Sequence, residues 1–132
     1  MLVQLMSNLF YKTLLDDFSQ GMKMQPLRFD DKGACNMIID DTFALTLLRD
    51  DARERLLLIG LLDPPEDLPL QRLLAGALNP LVSAGPGLGW DEQSELYHAY
   101  QSIPREKATA QTLKSEIAAL VEWMRQWRDV RM

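Results

Sequence analysis

Few side chains here are suited to covalent or coordination chemistry. The 132 residues contain one cysteine, Cys35, and one histidine, His98. Together they could form a thiol nucleophile and its base. Cys35, however, shares an alternating apolar face with Met37 and Ile39, where a cysteine acts as a small buried hydrophobe. His98 falls between Tyr97 and Tyr100 in another alternating stretch. Catalysis needs hydrogen-bond reach between the two, which is a property of the fold and not of the sequence. A single histidine excludes a multi-histidine metal site within one chain. A single cysteine excludes an internal disulfide and points to a reducing compartment.

Four Asp-Asp doublets offer oxygen ligands for a hard cation: 16–17, 30–31, 40–41 and 50–51. No stretch has the calcium-loop spacing of alternating ligands with a distal Glu. The last three doublets fall at breaks between apolar runs, where Asp bonds its own backbone in turns. Turn chemistry accounts for them. The run Gly85-Pro86-Gly87-Leu88-Gly89 is glycine-rich, but a phosphate cradle needs a strand, then the glycine turn, then a helix whose N–H groups face the anion. The order here is helix, turn, strand, and Pro86 removes a donor. No catalytic residue, metal or cofactor is therefore assigned.

Composition narrows the class further. Fourteen Lys and Arg stand against nineteen Asp and Glu, for a net charge of −5. That balance argues against nucleic-acid binding, which needs a basic footprint, and against docking on anionic lipid. The longest apolar run, about residues 56–62, is far too short to span a bilayer. Residues 1–8 carry no basic residue and do not read as a signal peptide. The length fits one domain, over residues 1–132. A cytoplasmic location is expected.

The spacing predicts a first helix, with Met6, Leu9, Phe10, Leu14 and Phe18 on one stripe, a cap at Ser7 or Asn8, and a stop at Gly21. Residues 34–40 and 42–48 alternate with a period of two, as half-buried strands do. Residues 55–62 are apolar enough for burial on both faces. Short breaks make this block an antiparallel meander. A second helix starts near Pro69 and carries Leu70, Leu73, Leu74, Ala77, Leu78 and Leu81. Pro80 should kink it or end its regular part. Residues 88–91 and 96–103 form a hairpin. A last helix, capped by Thr109 or Thr112, carries Leu113, Ile117, Leu120, Val121, Met124 and Trp127 on one stripe. The fold class is α+β: three helices and a mainly antiparallel, twisted sheet of five to six strands, in the order α-β-β-β-(β)-α-β-β-α.

Two features exceed the needs of one core. The leucine arc of the second helix is wide enough to bury two faces, which in a small domain is usually met by dimerising. Trp123 lies off the last helix's stripe. A partly exposed aromatic and a protein-binding surface both account for it, and the sequence leaves the two open.

The order of elements and several phrases resemble the class I type III secretion chaperones, the CesT/SycE-like family. The resemblance covers nearly the whole chain. It is carried by Phe18-Ser19-Gln20-Gly21, Leu27-Arg28-Phe29-Asp30-Asp31-Lys32-Gly33, Cys35-Asn36-Met37-Ile38-Ile39-Asp40 and Phe43-Ala44-Leu45-Thr46-Leu47. The second half adds Leu73-Leu74-Ala75-Gly76-Ala77-Leu78-Asn79-Pro80-Leu81, Gly87-Leu88-Gly89-Trp90-Asp91 and Glu95-Leu96-Tyr97. The resemblance implies a cytoplasmic homodimer of a Gram-negative bacterium, not an enzyme. It implies binding of the N-terminal segment of a secreted virulence effector, held non-globular and extended for delivery to the secretion apparatus, with the secretion ATPase as a further partner. By the same resemblance, the effector-binding residues are Phe10, Leu14, Phe18, Leu27 and Phe29. The dimer interface is Leu70, Leu73, Leu74, Ala77, Leu78 and Trp90. A regulatory member of the same fold, binding a secretion regulator, is an alternative. A small ligand-binding domain or enzyme around His98 and Tyr100 is another.

Overall fold

Alternation of apolar and polar residues lays down the sheet. In the computed structural model, which describes residues 2–129, β1 (Ala34–Ile39), β2 (Phe43–Asp50) and β3 (Arg55–Leu62) form an antiparallel meander. β4 (Gly87–Asp91) and β5 (Leu96–Pro104) form the later hairpin. β5 pairs with β3, giving one five-stranded sheet in the order β1-β2-β3-β5-β4. The sixth strand allowed by the sequence does not form among the described residues.

The turns explain two of the Asp doublets, 30–31 and 40–41, whereas 16–17 lies within the first helix. Asp40 and Asp41 both take left-handed backbone at the β1–β2 hairpin, with φ of 53° and 54°. A short Asp side chain tolerates that region better than most. Asp30 accepts from the backbone N–H of Lys32 and of Ala34 through one carboxylate oxygen, each at 2.9 Å. Gly33, at φ +78°, completes that turn, which leads the chain into β1.

All the long helices lie on one face of the sheet. α1 (Leu2–Gly21) and α4 (Ala110–Arg128) pack side by side over it. The sequence stripe of α4 is buried throughout, and Thr109 Oγ1 caps the helix by accepting from Thr112 N–H at 3.0 Å. α1 differs from expectation. It starts at Leu2, without the cap expected at Ser7 or Asn8, and its core face is Tyr11, Leu14, Leu15 and Phe18. Met6 and Leu9 point outward. The first half of this helix is apolar on two sides, and the larger Tyr11–Leu15–Phe18 set decides which side goes in. Ser7 is buried, its hydroxyl accepting from Arg105 Nη1 at 3.2 Å. Gly21 is the last helical residue, and the left-handed position that closes the helix is Lys23, φ 55°.

The second predicted helix is two: α2 (Leu70–Ala77) and α3 (Asn79–Ser83). Pro80 cannot donate to the preceding turn. The helix therefore breaks at Leu78 and Pro80 opens the next one, so the described residues hold four α-helices rather than three. Asn79 Nδ2 donates to the Pro86 carbonyl at 2.5 Å, folding α3 back on the edge of β4.

β3 is covered on one face only. Leu56, Leu58 and Leu62 are buried against the helices, whereas Leu57 and Ile59 are half-buried and Leu61 is exposed. Gly60 lies between them under α4. A Cβ there would sit 2.5 Å from Met124 Sδ and 2.9 Å from Leu45 Cδ2. Replacing Gly60 with Val should cost about 3 kcal/mol by overpacking. Urea unfolding measures it, and an unchanged midpoint would contradict the close approach.

Candidate interaction surfaces

The first surface lies where α2 crosses the helix-facing side of β4. Leucines at 70, 74 and 78 repeat every four residues and fall on one side of the helix. Leu70, Leu74 and Leu78 are each more than half exposed, as is Trp90, which stacks edge-on against Tyr97 at 4.8 Å. Between them runs an apolar groove of about 330 Å³. Of the residues expected at a dimer contact, these four share the patch. Leu73 is buried and forms its floor, and Ala77 is half-buried beside it. Leu81 and Val82, at 85% and 80% exposed, extend the patch onto α3. Large apolar groups this open on a contiguous patch mark a protein-binding surface.

The second lies between α1 and the segment 26–33. Phe10 is partly exposed and Leu27 and Phe29 are half-buried. Leu14 and Phe18 belong to the core, at 5% and 1% exposed. A cleft of about 550 Å³ opens here, with Tyr11, Phe29 and Arg49 among its walls; of the five expected residues Phe29 alone lines it, and Phe10 lines a separate hollow with Met6, Ser7 and Arg105. Arg49 is held on all sides. It pairs with Asp51 through Nε and Nη2 at 3.2 and 2.9 Å and donates from Nη1 to Asn8 Oδ1 at 2.8 Å. Its guanidinium lies 4.6 Å from the centre of the Tyr11 ring. Burial, helped by Asp51, pushes the Tyr11 hydroxyl pKa upward.

The third surface was not foreseen from the sequence. The sheet face opposite the helices carries Ile38, Leu57, Ile59, Leu61 and Tyr100, half-buried to exposed, with no helix over it. Its signal was present in β3, apolar at every position except Gly60 from 56 to 62. That pattern demands cover on both faces, and this chain covers one. A further stripe, Leu2, Leu5, Met6 and Leu9, lies exposed on the back of α1.

The residues first weighed for chemistry are dispersed. Cys35 is buried on the helix side of β1, where desolvation pushes its thiol pKa up. His98 pairs with Leu61 on the uncovered face, three strands away, on the order of 14 Å across the sheet. They cannot act as a pair. Among the described residues no group of three or more His, Cys, Asp or Glu is placed to hold a metal. Trp123 is half-buried. Its Nε1 donates to the Gly87 carbonyl at 3.2 Å, tying α4 to β4.

The charged rim has a pH consequence. Asp50 accepts from Arg55 Nε at 2.8 Å and pairs more loosely with Arg53 at 3.4 Å. The Arg55 bond, then Arg53, lowers its pKa below the usual carboxylate value. A carboxyl with a depressed folded pKa adds stability above its unfolded value and loses it as pH falls through the folded one. Asp50→Asn should therefore flatten the acid side of the stability curve below about pH 4. Thermal melts from pH 5 down to pH 2 test this; parallel curves for variant and wild type would contradict it.

Against this geometry the comparisons decide the family. The family described as Tir chaperone protein (CesT) matches residues 13–128. The chain belongs to that family. This places it with chaperones rather than enzymes. A chain of the HopA1–SchA chaperone–effector complex is 74% identical to it, with a TM-score of 0.92 over 95% of this chain and 98% of that one. A chain of the ExsC–ExsE complex shares 23% identity at a TM-score of 0.77, over 94% and 98%. A chain from the Yersinia pestis complex of the type III secretion chaperone SycH with a YscM2 fragment shares 15% at 0.74, over 89% and 98%. At those lower identities the likeness is one of fold. The curated proteins include no match. Among the described residues, no helix is long and apolar enough to cross a membrane.

Proposed function

We propose that this CesT-family protein is a chaperone of a type III secretion system, acting in the cytoplasm of a Gram-negative bacterium on the N-terminal segment of a secreted effector. The observation that carries the reading is the 74% identity, over nearly both whole chains, to a chain of a chaperone–effector complex. The chain acts as one domain and as a homodimer, with α2 and β4 of one copy meeting the same patch of the other. In a two-fold pair the patch must complement itself, and an apolar groove beside a row of leucines does so.

The client is an unfolded segment. Such segments bind weakly for each unit of area, because ordering them opposes binding, and so need an extended surface. Three features offer one. The free edge of β1 can take an added strand. Phe10, Leu27 and Phe29, partly open around α1 while Leu14 and Phe18 lie in the core, take its apolar side chains. The uncovered sheet face takes a further apolar stretch. Delivery then passes the client to the secretion machinery, including its ATPase.

Co-expression with the effector chain of the HopA1–SchA complex tests the reading. The two should co-purify, with the effector's N-terminal segment sufficient for capture. An effector that elutes alone, at concentrations where the chaperone is folded, would overturn it.

A further inference from the structure

β1 lies at an edge of the sheet, and the chain itself occupies one end of that edge. Ala34 N–H donates to Asp30 Oδ1 at 2.9 Å, and Asp30 N–H donates to the Ala34 carbonyl at 2.8 Å. Both backbone groups of Ala34 therefore face away from β2. Asp30 stands where a further strand would pair, and it supplies one acceptor and one donor as a strand residue does.

In an antiparallel pair, residues along a strand alternate between bonding the partner and bonding outward. The inward set shows at both ends of β1. Arg49 N–H donates to the Gly33 carbonyl at 2.8 Å, and Thr42 N–H donates to the Ile39 carbonyl at 3.1 Å. Cys35 and Met37 belong to that set, opposite Leu47 and Leu45 of β2. Asn36 and Ile38 belong with Ala34 and point outward.

These two positions are open. Among the described residues, no loop or side chain bonds the backbone of either one on that side. Ile38 is 67% exposed. Asn36 is exposed too, and its Oδ1 accepts from Thr46 Oγ1 at 2.8 Å, which draws the side chain over β2 and off the edge. Beyond Ile38 the edge ends, because Asp40 and Asp41 turn the chain through left-handed backbone. At the other end, a strand pairing at Ala34 would bring its carbonyl against the Asp30 carboxylate, two acceptors for one donor. Charged side chains are one of the ways proteins close a strand edge.

We propose that Asp30 is a register-determining residue: it closes the edge of β1 at Ala34 and confines an added client strand to Asn36 and Ile38. The proposal rests on the chaperone reading above and adds where along the edge the client pairs. Two client amides, two residues apart, donate to the Asn36 and Ile38 carbonyls. Side chains of an added strand alternate, so those beside Asn36 and Ile38 join the uncovered sheet face.

Amide hydrogen exchange by NMR reads each position, on the whole chain with and without the effector chain of the HopA1–SchA complex. In the free chain, Ala34 should exchange slowly and Asn36 and Ile38 fast. Bound client should slow Asn36 and Ile38 by about tenfold, the scale of one net hydrogen bond, and leave Ala34 unchanged. This comparison needs no variant. In Asp30→Ala, Ala34 should exchange fast when free and slow when bound, because the client strand then extends to it. Asp30→Asn keeps an acceptor oxygen and should keep the wild-type pattern. Fast exchange at Asn36 and Ile38 in the complex, loss of Ala34 protection on binding, or a folded Asp30→Ala whose Ala34 stays fast when bound would overturn the proposal and leave the chaperone reading intact. No binding by the wild type would overturn both.

Discussion

Leu74→Asp will convert the protein from dimer to monomer with its fold intact. Leu74 is 59% exposed in the single chain, so the substitution places a carboxylate where water already reaches it. In the proposed dimer the same position is covered, and the two-fold axis doubles the damage, because each subunit brings one carboxylate to the contact. An ion deprived of water without a partner costs several kcal/mol. Two such groups weaken association by about 10³-fold or more, at 1.4 kcal/mol per factor of ten. Light scattering at micromolar concentration should give about 30 kDa for wild type and 15.1 kDa for the variant, with matching circular dichroism. Leu78→Asp should behave alike. A variant that stays dimeric would move the contact elsewhere.

Ile59→Asp will sharply weaken client capture and leave the dimer in place. Ile59 sits centrally on the uncovered face, between Thr46 of β2 and Tyr100 of β5. It is half-buried with no helix above it, so the isolated fold accommodates a polar side chain there. A client covering this face would bury the carboxylate among Leu57, Leu61 and Tyr100. The expected loss is about 100-fold in affinity, the scale of a central interface residue. The neighbouring Leu58→Asp is the contrasting variant: Leu58 is fully buried, and a charge there should unfold the chain. If Ile59→Asp binds the client normally, that face is no client surface. If it dissociates the dimer, the roles of the sheet face and the α2 patch are exchanged.

How far the sequence reached depended on how many constraints each segment answered to. The strands were legible because alternation reports burial directly. Cys35 and Met37 in β1, and Phe43, Leu45 and Leu47 in β2, face the core as their spacing implied. The last helix was legible because its stripe is one-sided. α1 was misread in its first half because it is not. Met6 and Leu9 occur at helical spacing with Phe10 and Leu14, yet they lie on the far side from Tyr11 and Leu15. Periodicity identifies a helix but does not choose between two apolar faces.

The same ambiguity explains β3. A strand apolar at alternate and intervening positions was read as buried twice over. In the single chain its second face is open, so apolar residues on an uncovered face read in sequence like core residues. The candidate surfaces were legible where that excess was concentrated, in the leucines of α2, and illegible where it was spread over three strands. The Tyr11–Arg49 cleft could not be found from sequence at all. It brings together a helix, a turn and the end of a strand, and its unpaired hydroxyl exists only once the fold is formed.

The central claim is that two copies of this chain hold one unfolded client segment. The most direct measurement is the mass, by light scattering, of the complex formed with the effector chain of the HopA1–SchA complex. The account predicts two chaperone chains of 15.1 kDa each and one effector, with the effector's N-terminal segment cut by protease when free and protected when bound. Separate elution of the two proteins, or an effector segment equally protected with and without the chaperone, would contradict it.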